Sequence, residues 1–250
     1  MANIVRCKLP DGVHRFKPFT VADYRDFLLV RNDMNTKSKE EQIELIDELL
    51  ADYFDEYPKS WRPYIFISVF TSSIGKTKIP VSFECPTCGS KKRFMLNLSQ
   101  EPLVAPVIET SGIKIKFKYP DEINEDLVEL ISKNIDTVQD SDSEYKWSEL
   151  DDETKVQVID SIDYKAFESL VKKLKPLHIE VSFKCCSEYK FVYDSLIDIF
   201  KILLNPDEVF SFYQVNHLLV KSHYDLNSVM AMIPIERSIA LSLVEKDLKK

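Results

Sequence analysis

Two stretches, Val81-Ser-Phe-Glu-Cys-Pro-Thr-Cys-Gly-Ser-Lys-Lys-Arg-Phe94 and Val181-Ser-Phe-Lys-Cys-Cys-Ser-Glu-Tyr-Lys-Phe191, read as one motif written twice. Each opens on Val-Ser-Phe, the apolar–polar alternation of a half-buried strand. Each continues through a charged residue, a cysteine, a short polar turn and a basic residue, and returns on Phe94 or Phe191. The second copy lacks the two residues between the cysteines, so Cys85-x-x-Cys88 becomes Cys185-Cys186. Two hairpins with two thiols at each tip supply four sulfurs, the donor set of a tetrahedral ion. Zinc in a structural role is the expected occupant, with an iron–sulfur cluster as the lesser alternative. Such a clamp would close a loop of about a hundred residues and tie the centre of the chain together.

Blander readings of the same cysteines stand beside this one. Cys85-Pro-Thr-Cys88-Gly89 has the form of a zinc knuckle. Pro86 and Thr87 turn the chain, and Gly89 permits the positive φ that lets backbone N–H groups face the sulfurs. The pair Cys185-Cys186 is a poorer chelate, because neighbours on a strand point to opposite faces unless the backbone turns between them. One of the two could bind while His178 or water fills the fourth place. A strained vicinal disulfide and ordinary buried thiols are further alternatives. Cys-Pro-x-Cys is also a thiol-redox signature, but that site opens a helix. Here Lys91-Lys92-Arg93 and Phe94-Met-Leu follow, which read as a strand.

Outward from these hairpins, 250 residues with 44% hydrophobic content are enough for a sizeable core. Only 4 glycines speak against glycine-rich phosphate loops, and a formal charge of -8 against a general nucleic-acid binder. Five cysteines and an opening Met-Ala-Asn-Ile-Val-Arg without an apolar run suit a reducing cytoplasm. The apolar stretches are too short for a membrane span.

The chain divides into 1–75, 76–195 and 196–250, an α+β arrangement. The first part is an N-terminal hairpin with helices. The second is a central β-sheet region with two cysteine-tipped, zinc-ribbon-like hairpins. The third is helical. Residues 3–19 form the first hairpin, turning at Pro10-Asp11-Gly12, with Cys7 a small core residue. Thr20 caps a helix over Val21 to Arg31. A second helix carries Ile43, Ile46, Leu49, Leu50, Tyr53 and Phe54 on one stripe, and acidic residues from Glu40 to Glu56 solvate the rest. Tyr64 to Thr71 reads as a buried helix. Ser73-Ile-Gly75-Lys76-Thr77 copies the end of a phosphate loop, but position 70 is phenylalanine where that loop needs glycine.

Ile113 to Tyr119 alternates strictly, with lysines on one face. A helix over 121–135, an acidic connection over 136–155, and a broken helix from a Ser148 cap to Lys175 follow. Helices over Leu196 to Leu204, Asp207 to Val220, Asn227 to Met232 and Pro234 to Lys250 close the chain. The aromatic residues of 189–224 are core by default and a docking face otherwise.

No catalytic constellation emerges. His14, His178, His217 and His223 form no His-Glu-x-x-His or His-x-x-x-His pattern, and no Gly-x-Ser-x-Gly elbow is present. A deaminase-type site fails for want of an upstream His-x-Glu. The expectation is a protein that acts by binding.

The opening Met-Ala-Asn-Ile-Val-Arg-Cys-Lys-Leu-Pro-Asp-Gly, with Phe16-Lys-Pro-Phe19-Thr, resembles the start of the T4-type bacteriophage baseplate protein family, which includes a baseplate hub subunit and a hub-assembly protein. So does the block from Ser73 to Cys88. The resemblance implies a non-enzymatic protein of a contractile-tail phage, made late in infection in the host cytoplasm. Its partners would be other baseplate hub proteins, and the virion tail is a destination for some members. Two readings from other classes remain. One is a zinc-ribbon nucleic-acid or transcription-related module using Lys91, Lys92, Arg93, Lys114, Lys116 and Lys118. The other is a thiol oxidoreductase using Cys85 and Cys88.

Overall fold

The computed structural model describes residues 4–123 and 126–248. The expected strand start at Asn3, the stretch of helix at Asn124 and Glu125, and the helix end at Lys249 and Lys250 lie outside the described residues.

Strands β1 (Val5–Leu9) and β2 (Gly12–Phe16) pair antiparallel with Leu9 opposite Gly12. Cys7 is 1% exposed in the core, and burial pushes its thiol up to about 11. Helix α1 (Val21–Asp33) starts on a capping box: the Thr20 hydroxyl accepts from the Asp23 N–H, and the Asp23 carboxylate accepts from the Thr20 N–H. Ser38 and Glu41 repeat the device at α2 (Lys39–Phe54). Along α2 the expected stripe is buried at Ile46, Leu49, Leu50 and Phe54, whereas Ile43 is exposed. Helix α3 (Arg62–Ile74) is the central rod, with Ile65, Phe66, Ile67 and Val69 fully buried. An all-apolar surface can only be satisfied at the middle of a core.

β3 (Lys78–Glu84) and β4 (Lys91–Asn97) form the first cysteine hairpin. A module with its own core follows. Strands β5 (Val107–Thr110) and β6 (Ile113–Phe117) precede α4 (Leu127–Asn134), and β7 (Ile135–Gln139) and β8 (Glu144–Lys146) complete an antiparallel sheet in the order β5-β6-β7-β8. Helices α5 (Asp152–Asp160) and α6 (Tyr164–Leu174) cover one face, burying Ile115, Phe117, Ile131, Val138 and Leu170.

Three expectations fail in this module. The helix expected over 121–135 begins only at Leu127, capped by the Asp126 carboxylate, and Ile135 belongs to β7. The connection expected over 136–155 contains β7 and β8. The helix expected from Ser148 is capped by Asp151, whose carboxylate accepts from the Thr154 N–H. Strand β7 hides because a bulge sets Ile135 opposite Phe117 but Thr137 opposite Lys116. Ile135 and Val138 are thereby both buried, three residues apart, which imitates helical spacing.

β9 (Ile179–Lys184) and β10 (Glu188–Tyr193) make the second cysteine hairpin. Helices α7 (Leu196–Leu203), α8 (Glu208–Lys221), α9 (Leu226–Ala231) and α10 (Pro234–Leu248) complete the chain. The main core joins the N-terminal elements to α7, to Phe212 of α8, and to the apolar bases of both hairpins through Leu96, Leu177 and Ile179. A smaller cluster of Leu219, Val229, Ala240 and Val244 packs α8 to α10.

Candidate metal centre

The two cysteine hairpins repeat each other in register as well as in sequence. Val81 stands opposite Phe94, and Val181 opposite Phe191. Glu84 faces Lys91 at the tip of one, and Lys184 faces Glu188 at the tip of the other, the same pair with its signs exchanged. The hairpins meet through aromatic rings. Phe83 lies 4.9 Å from Phe183, 5.2 Å from Tyr189 and 5.3 Å from Phe191, and Phe94 stacks on Phe183 at 5.1 Å. Edge and offset contacts at these separations are the favoured arrangements of aromatic pairs.

This seam brings all four expected residues, Cys85, Cys88, Cys185 and Cys186, to one place. Their sulfurs all lie within 4.8 Å of one another, and Cys88 Sγ is 3.7 Å from Cys185 Sγ. Zinc–thiolate bonds of about 2.3 Å in a tetrahedron put sulfurs about 3.8 Å apart. The set therefore fits a tetrahedral thiophilic ion, with the longest edge drawing in by about 1 Å. Cys85 is buried, Cys185 half-buried, and Cys88 and Cys186 exposed, so the cluster sits at the surface.

Both tips turn as thiol chelation requires. Gly89 adopts φ 65°, and its N–H donates to the Cys85 carbonyl at 2.8 Å. The backbone N–H groups of Cys88 and Thr87 are directed at the Cys85 sulfur. At the second tip the Cys185 N–H donates to the Ser187 carbonyl at 2.9 Å. The backbone thus turns at the adjacent pair, and both thiols join the cluster. His178 does not: its Nε2 pairs with the Glu180 carboxylate at 2.8 Å.

Tyr189 is the participant that sequence reasoning missed. Its hydroxyl lies 3.2 Å from Cys85 Sγ and 3.4 Å from Thr87 Oγ1. Tyr189 stands opposite Phe183 where Lys92 stands opposite Phe83, so this break in the repeat was the available signal. The Tyr189 hydrogen bond is the main reason the Cys85 thiol is drawn down to about 5, and the Cys88 and Thr87 amides add to it. Cys186 is pushed up to about 12, first by its hydrogen bond with Cys88, and Cys185 is raised by burial and by its sulfur neighbours. The cluster accepts one negative charge readily and resists the next, which is the condition a divalent cation relieves.

Other candidate sites resolve into ordinary structure. Four of the six residues proposed as a basic patch face carboxylates: Lys114 meets Glu109 at 3.8 Å, Lys116 meets Glu144 at 2.6 Å, Lys118 meets Asp136 at 3.2 Å and Lys91 meets Glu84 at 3.8 Å. Gly75-Lys76-Thr77 follows the C-terminal end of α3, where Gly75 is the left-handed cap. A phosphate would need the opposite, amide-bearing end of a helix. Among the described residues no helix is long and apolar enough to cross a membrane.

Residues 1–201 match the family described as T4 bacteriophage base plate protein. Residues 203–249 match the family described as Baseplate hub assembly protein Gp51 C-terminal domain. No curated protein and no solved structure matches the chain.

Proposed function

The chain belongs to the T4 bacteriophage base plate protein family, and from that premise we propose that it is a non-enzymatic protein that helps build the baseplate hub of a contractile-tail phage. It acts through contacts with other baseplate hub proteins, in the host cytoplasm during assembly. The observation that carries this reading is the end-to-end pair of family matches, the second of them to a hub-assembly domain. Co-expression with the other hub proteins of the same phage tests it. A stable complex in gel filtration is the expected result, and failure to associate with any of them overturns the reading. Finding the chain in purified particles would make it a tail component, and its absence from them a transient assembly factor.

Within that role the hairpins act as a zinc-ribbon-like clamp, with Cys85, Cys88, Cys185 and Cys186 holding one structural zinc ion. The four convergent sulfurs and the amides aimed at Cys85 support this reading. Elemental analysis of protein purified without added metal should find about one zinc per chain, with no visible absorption of the kind an iron–sulfur cluster gives. Cys85→Ser and Cys185→Ser should each lower metal content and melting temperature together. The nucleic-acid reading is weakened by the carboxylates that pair its lysines. The oxidoreductase reading is weakened by the hairpin setting of Cys85 and Cys88, which opens no helix.

A further inference from the structure

We propose that Cys88 and Cys185 are also a modification site: under oxidising conditions they form a disulfide that joins the same two hairpins. This rests on the zinc reading above and adds what becomes of the site when the environment changes.

Cys88 and Cys185 meet the geometric requirement for a bond between the hairpins. The two sulfurs are 3.7 Å apart and belong to different hairpins. A disulfide of about 2.05 Å needs a further approach of about 1.7 Å, within reach of side-chain rotation at two loop tips. Cys88 is exposed to a dissolved oxidant and Cys185 is half-buried beside it. Cys85 is withdrawn, at 1% exposure, with its sulfur engaged by Tyr189. Cys186 adjoins Cys185 in the chain, and a bond between them would be a strained vicinal ring that links nothing. The Phe83, Phe94 and Phe183 contacts align the hairpins without any help from the sulfurs. Loss of the ion therefore leaves Cys88 and Cys185 side by side at high effective concentration.

The step balances with hydrogen peroxide as oxidant. The Cys88 thiolate attacks one peroxide oxygen, the O–O bond breaks, and hydroxide leaves and takes a proton as water. The Cys185 thiolate then attacks the sulfenic sulfur of Cys88, and a second hydroxide leaves and is protonated in the same way. Two electrons have passed from two sulfurs to one peroxide. With Cys88 and Cys185 joined, only Cys85 and Cys186 of the four would remain to hold an ion. A reducing cytoplasm favours the metal clamp, and an oxidising exterior the covalent one. The hairpins stay joined in both.

The test uses the full chain. Zinc is first measured on the untreated protein, which by itself decides the metal reading. Peroxide is then added, and zinc release, free thiols and intact mass are followed, with peptide mapping at the end. The expected result is loss of about one zinc, a fall from five free thiols to three, a mass decrease of about 2 Da, and a linked peptide pair containing Cys88 and Cys185. Cys186→Ser should keep that link and Cys88→Ser should lose it. Should Cys88→Ser fail to fold, the wild-type chain stripped with a chelator before oxidation gives the same map. A bond from Cys88 to Cys85 or to Cys186, a bond between Cys185 and Cys186, or five thiols that survive peroxide, overturns the proposal while a zinc-loaded starting protein leaves the metal reading intact.

Discussion

Tyr189 matters at the scale of single residues because its hydroxyl is the main reason the Cys85 thiol is drawn down. Tyr189→Phe should raise the Cys85 thiol from about 5 toward its ordinary value and weaken zinc binding about tenfold or more, read by chelator competition. The same shifts set a pH dependence for the metal-free chain. Cys85 is lowered on folding, so its contribution to stability is full above the unfolded value of 9.0 and is lost as pH falls toward about 5. Cys186 is raised, so its contribution is lost as pH climbs from 9.0 toward about 12. In the metal-free protein these two thiols should therefore stabilise the fold most near pH 9, and Cys85→Ser should flatten the fall in melting temperature on the acid side. Gly75 supplies a second case. It ends α3 at φ 67°, and a Cβ placed there would overlap the Ile235 side chain. Gly75→Ala should cost about 1–3 kcal/mol in denaturant unfolding, from the left-handed backbone and the displaced isoleucine together.

At the scale of elements, what could be read in advance follows from how much of a segment's surroundings is written in the segment itself. The cysteine hairpins were legible, because alternation, turn chemistry and duplication all agree within 14 and 11 residues. Helix α1 was legible through its Thr20 cap and α2 through its apolar stripe. Strand β7 was not, since its inward face depends on a bulge created by its partner β6. The convergence of the four cysteines was legible because the repeat aligned them, whereas Tyr189 matters only once the second hairpin is laid on the first. The hairpins also depend on each other more than either strand pattern reveals. Phe183 touches Phe83, Phe94, Tyr189 and Phe191. Phe183→Ala should destabilise the protein by about 3 kcal/mol and lower zinc affinity at the same time, seen as a coupled loss in unfolding and metal titration.

Across the whole molecule, the sheet module of β5 to β8 and α4 to α6 lies between the two hairpins in the chain and keeps a separate core. Ion pairs join it to the second hairpin. Glu180 accepts from Lys190 at 3.0 Å and His178 at 2.8 Å and faces Lys172 of α6 at 3.6 Å, while Lys175 pairs with Asp194 at 2.5 Å. Lys190 above all, then His178, hold the Glu180 carboxyl down to about 2. This support is present above the ordinary carboxylate value of 4.5 and fades as pH falls toward 2. Glu180→Gln should speed amide exchange in α6 while leaving α3 protected, and added salt should narrow the difference from wild type. The main core meets this excursion at Leu98 and Leu103 on the way out, at Tyr119 within it, where Ser60 also donates to the Pro120 and Asp121 carbonyls, and at Leu177 on the way back. A chain whose departure and return are pinned side by side gives what lies between them unusual licence. Away from the stretch around Tyr119 the segment should tolerate lengthening and shortening, and variation among relatives should gather there while both flanks hold their length.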